Sequence, residues 1–105
     1  MKHPMITFEV VRGYLLSRYD DQIRGIGQTP GEVPDNFDFL MEGIIDSLGV
    51  LDMISGLDRE FDLELDLAGL DAEEMTLLGP LARFVVAQAG PRGETASPVF
   101  HPSDS

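Results

Sequence analysis

One segment of this chain, F-D-L-E-L-D-L at 61–67, alternates apolar and acidic residues with the period of two that suits a half-buried strand. A single strand has no partner to take up its backbone hydrogen bonds, so the segment is expected to be an extended connection and the chain to fold through helices. Helical spacing is what the other apolar residues show. Phe8, Val11, Leu15 and Tyr19 recur at that spacing behind Pro4, which is suited to a first turn, and this predicts helix I over about 4–19 with Gly13 as a mild internal weakness. A second helix is predicted over about 47–60. Asp71 followed by Glu74 resembles a capping box for a short third helix of about one turn. Thr76 is placed to cap a last helix, in which Pro80 falls in the first turn, Leu77, Leu78, Leu81, Phe84 and Val85 form the apolar stripe, and Gly90-Pro91 ends it. The expected fold is therefore all-α, a small four-helix bundle of three main helices and one short one.

Two stretches break this periodicity. Between residues 20 and 42, Gly25, Gly27, Pro30, Gly31 and Pro34 punctuate a connection that is long for a compact domain, with Phe37, Phe39 and Leu40 apolar enough to tie its end back to the core. The tail 90–105 is polar and proline-rich and is expected to be disordered, leaving residues 1–89 as the single domain. There is no internal repeat.

Composition narrows function by exclusion. With 19 acidic against 7 basic residues, a net charge of −12 disfavours nucleic acid and anionic lipid as partners and favours basic protein surfaces. Eight acids lie between Glu42 and Asp66 against the lone cation Arg59, a run that is most simply a solvated face. The absence of cysteine excludes disulfides and thiolate metal sites. No apolar run approaches the roughly 20 residues that span a bilayer, and the N-terminus lacks a signal peptide's apolar segment, so a cytoplasmic protein without membrane insertion is expected.

The run F-L-M-E-G-I-I-D-S-L-G-V-L-D-M-I, residues 39–54, carries the chemistry. On a helical wheel Val50, Met53, Ile54, Leu57 and Phe61 share one side, while Leu48, Leu51, Asp52 and Ser55 fall opposite, placing two leucines beside an aspartate on the outward face. Taken alone, Ser47 reads as a helix N-cap, but position 50 is Val rather than Glu or Gln, so no capping box forms there. Asp46 can cap instead, which leaves the Ser47 hydroxyl free near the positive end of the helix dipole, where an attached phosphodiester would be favoured. A nucleophilic role lacks its parts: the only histidines are His3 and His101 near the chain ends, and neither a G-x-S-x-G elbow nor a G-D-S-L motif is present because Ile45 replaces the required glycine.

The run Asp46 to Asp66, D-S-L followed by an amphipathic acidic helix and the E-F-D junction, resembles the phosphopantetheine attachment site and second helix of an acyl carrier protein. The resemblance extends more weakly over about residues 4–88, through F-L-M-E-G-I-I and M-T-L-L-G-P-L-A-R-F-V. It implies that Ser47 receives 4'-phosphopantetheine from coenzyme A through a separate phosphopantetheinyl transferase, and that Asp46 helps that enzyme position magnesium. Leu48, Leu51, Asp52 and Ser55 match positions that contact partner enzymes, and Asp58, lower on the acidic helix, is expected to join them. Such a carrier is not an enzyme and works as a monomer. It holds an acyl or aminoacyl group as a thioester on the cofactor's thiol and shuttles it between an activating ligase and acyltransferase or synthase partners with basic docking surfaces. Gly49 stands where fatty-acid carriers usually have an acid, and Arg59 interrupts their acidic run; the G-I-I-D-S-L-G form is similar to D-alanyl and other stand-alone aminoacyl carriers.

Two other functions compete with this one. A small acidic helical adaptor that binds a partner through helix II without modification would share every feature except chemistry at Ser47. A calcium module is suggested by Asp62, Glu64, Asp66 and Glu73 at positions 1, 3, 5 and 12 of an EF-hand count, but Leu67 occupies the position that requires glycine. His3 and His101 have no second metal ligand at helical spacing.

Overall fold

The computed structural model describes residues 5–90, and the architecture there is a small all-α bundle. Its α-helices are α1 (Phe8–Arg18), α2 (Asp20–Gly25), α3 (Ser47–Phe61) and α4 (Leu78–Ala89), with short 3-10 turns at Pro30–Glu32, Leu67–Gly69 and Ala72–Glu74. None of these helices is long and apolar enough to cross a membrane. The tail after Gly90, Pro4 and both histidines lie outside the described residues.

The three main helices sit where their apolar periodicity predicts, and they share one core. Val11 and Leu15 from α1, Met53, Leu57 and Phe61 from α3, and Leu78, Leu81, Ala82 and Val85 from α4 are all buried in it. Helix α1 starts later than expected, because the Thr7 hydroxyl accepts a hydrogen bond from the Val10 amide at 3.1 Å and so caps the first turn at Phe8. The short helix lies elsewhere in the chain than predicted. Residues 20–25 form α2, nearly continuous with α1 and buried through Ile23, whereas the Asp71 segment makes only a 3-10 turn and the Asp71 side chain caps nothing. Acids at Asp20 and Asp21 in the first turn and Arg24 in the last, the latter bonded to Asp20 at 3.0 Å, suit that helix electrostatically.

The remaining long loop is held to the bundle at both levels, side chain and backbone. Phe39 is fully buried between Tyr19 and Phe37, with ring centroids 5.4 and 5.3 Å away, while Leu40 is exposed. The loop also performs the capping that Thr76 was expected to perform. Thr76 is buried ahead of the helix, α4 has no side-chain cap, and its first amides donate to loop carbonyls instead, Leu78 to Phe37 at 2.9 Å and Gly79 to Asp35 at 2.7 Å. This approach requires glycine, since a Cβ at position 79 would lie 2.8 Å from the Asp35 Cβ. Asp35 in turn lies within ion-pair distance of Arg12 on α1 and Arg83 on α4.

Residues 63–66 of the alternating segment form neither helix nor strand, in keeping with the connection expected there. Leu63, Leu65 and Leu67 pack against the core, while Glu64 and Asp66 face outward. Asp62 turns the chain out of α3 in the left-handed conformation at φ 55°, which aspartate tolerates better than most residues.

Candidate functional site

The site is built around the start of α3, and its position follows from how the preceding turn folds. Asp38 accepts the amides of Leu40 and Met41 on its carboxylate, and the Phe39 carbonyl accepts both Ile44 and Ile45 at 2.9 and 3.1 Å. Gly43 closes this turn with φ +79°, a conformation that costs glycine little. The turn thereby returns to within two residues of Ser47 and leaves Met41 79 % exposed.

Asp46 then caps α3. Its backbone is extended and its Oδ1 accepts the Gly49 amide at 2.8 Å, so one of the helix's unpartnered amides is satisfied and Ser47 becomes the first helical residue. The Ser47 side chain is exposed, and its hydroxyl has no hydrogen-bond partner among the described residues. Gly49 has a local reason in this geometry, because a Cβ there would sit 3.0 Å from the Ile45 Cβ and 3.4 Å from the capping oxygen. Its identity therefore reports how the chain enters α3.

The outward face of α3 carries Leu48 and Leu51, 79 % and 64 % exposed, together with exposed Asp52 and Ser55. The wheel assigned these correctly, and the opposite side buries Met53, Ile54, Leu57 and Phe61; Val50 is only half-buried. Two acids in this set have structural partners that spacing alone did not disclose. Asp52 Oδ2 accepts from Arg18 Nη2 at 2.6 Å across the α1–α3 seam, so its charge is exposed but paired. Asp58 is half-buried, and its carboxylate accepts the Leu65 amide at 3.0 Å while its carbonyl accepts Leu63 at 2.9 Å. Asp58 thus stitches the segment after α3 to the end of that helix, a structural role beside the partner contact expected of it.

Arg18, which the sequence did not single out, is the most connected side chain near this face. Its Nε donates to the Tyr19 hydroxyl at 3.2 Å and its Nη1 to the Tyr14 hydroxyl at 3.4 Å, in addition to the Asp52 bond. The Tyr19 hydroxyl, and after it the Asp52 carboxylate, hold the guanidinium even more firmly protonated than usual. Burial pushes the Tyr14 hydroxyl above the ordinary phenol range, against the pull of Arg18. Tyr14 also meets Phe61 edge-on at 5.6 Å. Close approach of the two helices here needs Gly56, where a Cβ would lie 2.6 Å from the Tyr14 hydroxyl. The only sequence signal for this network was Arg18 at the end of α1, one of five cations in the described residues.

The acids of the EF-hand count do not converge. Asp62 terminates α3, Asp66 caps the 3-10 turn at Leu67 through the Ala68 amide, and no group of three or more His, Cys, Asp or Glu among the described residues is placed to hold a metal ion.

No family model, curated protein or solved structure matches this chain.

Proposed function

We propose that this protein is an acyl or aminoacyl carrier that bears 4'-phosphopantetheine on Ser47. The observation that supports this best is the division of labour at the start of α3: Asp46 takes the capping role, and the neighbouring serine is left with an exposed, unengaged hydroxyl. A cap serine would have its oxygen occupied by a backbone amide.

The surroundings of Ser47 fit the attached group. The amides of the first helical turn carry partial positive charge, which favours a phosphodiester on that hydroxyl, and no acid lies within the first turn itself. Asp46 adjoins the hydroxyl and is exposed, so its second oxygen can assist a transferase in placing magnesium. Leu48 and Leu51 give an incoming enzyme an apolar contact beside the serine. When attached, the arm supplies a terminal thiol, which the chain itself lacks, to carry an acyl group. The protein's own part is to present the arm, to exclude nothing around it, and to be recognised by successive enzymes. Its net charge of −12 speeds encounter with basic surfaces while leaving the contacts weak enough to release.

The test is intact mass after incubation with coenzyme A and a phosphopantetheinyl transferase. The expected result is a gain of one phosphopantetheine that disappears in Ser47→Ala. A chain that gains no mass, or a gain that survives the substitution, would overturn the carrier function and leave the unmodified adaptor as the better account.

A further inference from the structure

Between Asp46 and Asp58 the outward-facing helix has one charged residue, Asp52. All three of these acids are engaged: Asp46 with the Gly49 amide, Asp52 with Arg18, and Asp58 with the Leu65 amide. Of the three only Asp52 is paired with a cation among the described residues, so in a protein of net charge −12 the one charge on the helix between Asp46 and Asp58 is offset where Leu48 and Leu51 stand out from it. The cancelling cation is not a loose surface side chain. The Arg18 side chain is 28 % exposed against 65 % for Asp52, and its guanidinium is fixed by three oxygens, those of Tyr14, Tyr19 and Asp52. A partner cation seeking Oδ2 of Asp52 would have to displace a guanidinium held on three sides.

We propose that Arg18 is a specificity-determining residue of this face: by pairing with Asp52 it withdraws that carboxylate from recognition, so that the enzyme docking at Ser47 seats Leu48 and Leu51 in an apolar pocket with no cation opposite Asp52. This rests on the carrier function proposed above. Charge complementarity argues for such a partner. The general acidity of the chain steers a basic protein toward it over a Debye length, whereas Asp52 enters the contact already paired and the contact gains from burying the two leucines. Removing Arg18 would leave a bare carboxylate to be desolvated against that pocket, and desolvating an unpaired charge is costly. Arg18 touches neither the serine nor the attached group, so it acts as a positioning residue, through Asp52.

The experiment measures the rate of Ser47 modification by a phosphopantetheinyl transferase with coenzyme A, using the full chain in four forms: wild type, Arg18→Gln, Asp52→Asn and the double variant. Arg18→Gln is expected to slow modification about tenfold, as one unpaired carboxylate in the contact requires, and the double variant to recover to within about threefold of wild type. Arg18→Lys, which keeps a cation, should retain most of the rate. A merely structural role for Arg18 would not be rescued by changing Asp52, so a double variant as slow as Arg18→Gln overturns the proposal. So does Asp52→Asn alone slowing the reaction about tenfold at low salt, since the carboxylate would then be read directly. Circular dichroism of each form checks folding, and if Arg18→Gln does not fold, Arg18→Lys and Asp52→Asn carry the same decision. No mass gain in the wild type is a different failure, which removes the carrier function itself.

Discussion

Asp46 carries two roles that a pair of substitutions can separate. Its Oδ1 accepts the Gly49 amide at 2.8 Å and caps α3, and under the proposed function its charge also serves the transferase's magnesium. Asp46→Ala removes both. The loss of an N-cap of this kind costs about 0.5–2 kcal/mol, and because α3 contributes Met53, Ile54, Leu57 and Phe61 to the core, fraying of its first turn is transmitted to the whole bundle. A destabilisation of about 1 kcal/mol lowers Tm by roughly 4–8 °C in a domain of this size. Asp46→Asn keeps an oxygen acceptor at the same place, and asparagine caps about as well as aspartate, so only the charge–dipole part, about 0.3–1 kcal/mol, is lost. Urea unfolding followed by circular dichroism should therefore rank wild type above Asp46→Asn above Asp46→Ala. Modification of Ser47 should rank differently, with both variants slowed by about tenfold or more, as expected for loss of a group that orders a metal's surroundings. The cap is refuted if Asp46→Ala is as stable as wild type. The second role is refuted if Asp46→Asn is modified at the wild-type rate.

Further substitutions test the packing that holds the site. Gly79→Ala should destabilise by about 1–3 kcal/mol, because the added methyl lies 2.8 Å from the Asp35 Cβ and forces the loop off the start of α4, outweighing the helix propensity gained. Gly13→Ala, with nothing within 4 Å of the new methyl, should instead stabilise by about 0.5–1 kcal/mol in the same urea assay. Leu57→Ala, at a fully buried position, should cost about 2–5 kcal/mol, and a loss below about 1 kcal/mol would show that the core collapses around the cavity. Millimolar calcium should leave the melting temperature unchanged, since Asp62 and Asp66 are committed to helix and turn termini; a rise of several degrees would reopen the calcium module.

Much of the fold was legible because it rests on local regularity. Helical spacing located α1, α3 and α4, and the solitary alternating segment was correctly denied a sheet. The wheel placed Leu48, Leu51, Asp52 and Ser55 outward, since which way a residue faces is fixed by period once one stripe is apolar. Helix α2 was missed because D-D-Q-I-R-G offers a single apolar residue, and one residue has no period. Thr76 and the Asp71–Glu74 pair carried cap-like chemistry without capping. A terminus is satisfied by whatever acceptor reaches it, and at α4 the distant loop carbonyls of Asp35 and Phe37 reach it first.

The site divides along the same line. Sequence alone placed Ser47 at the start of an amphipathic helix with two candidate caps, Ser47 and Asp46, because the stripe and the cap candidates are set by residues a few positions apart; the folded chain gives the cap to Asp46. Tertiary structure decided which charges on that helix are available. Arg18 is 34 residues from Asp52 and Leu65 lies beyond the end of α3 from Asp58, so pairings between them exist only once α1 and the extended segment have packed against α3. The aspartate that stands beside Leu48 and Leu51 on this helix is thus already paired with a cation in the folded protein, and a carboxylate's effect on a partner depends on what already neutralises it.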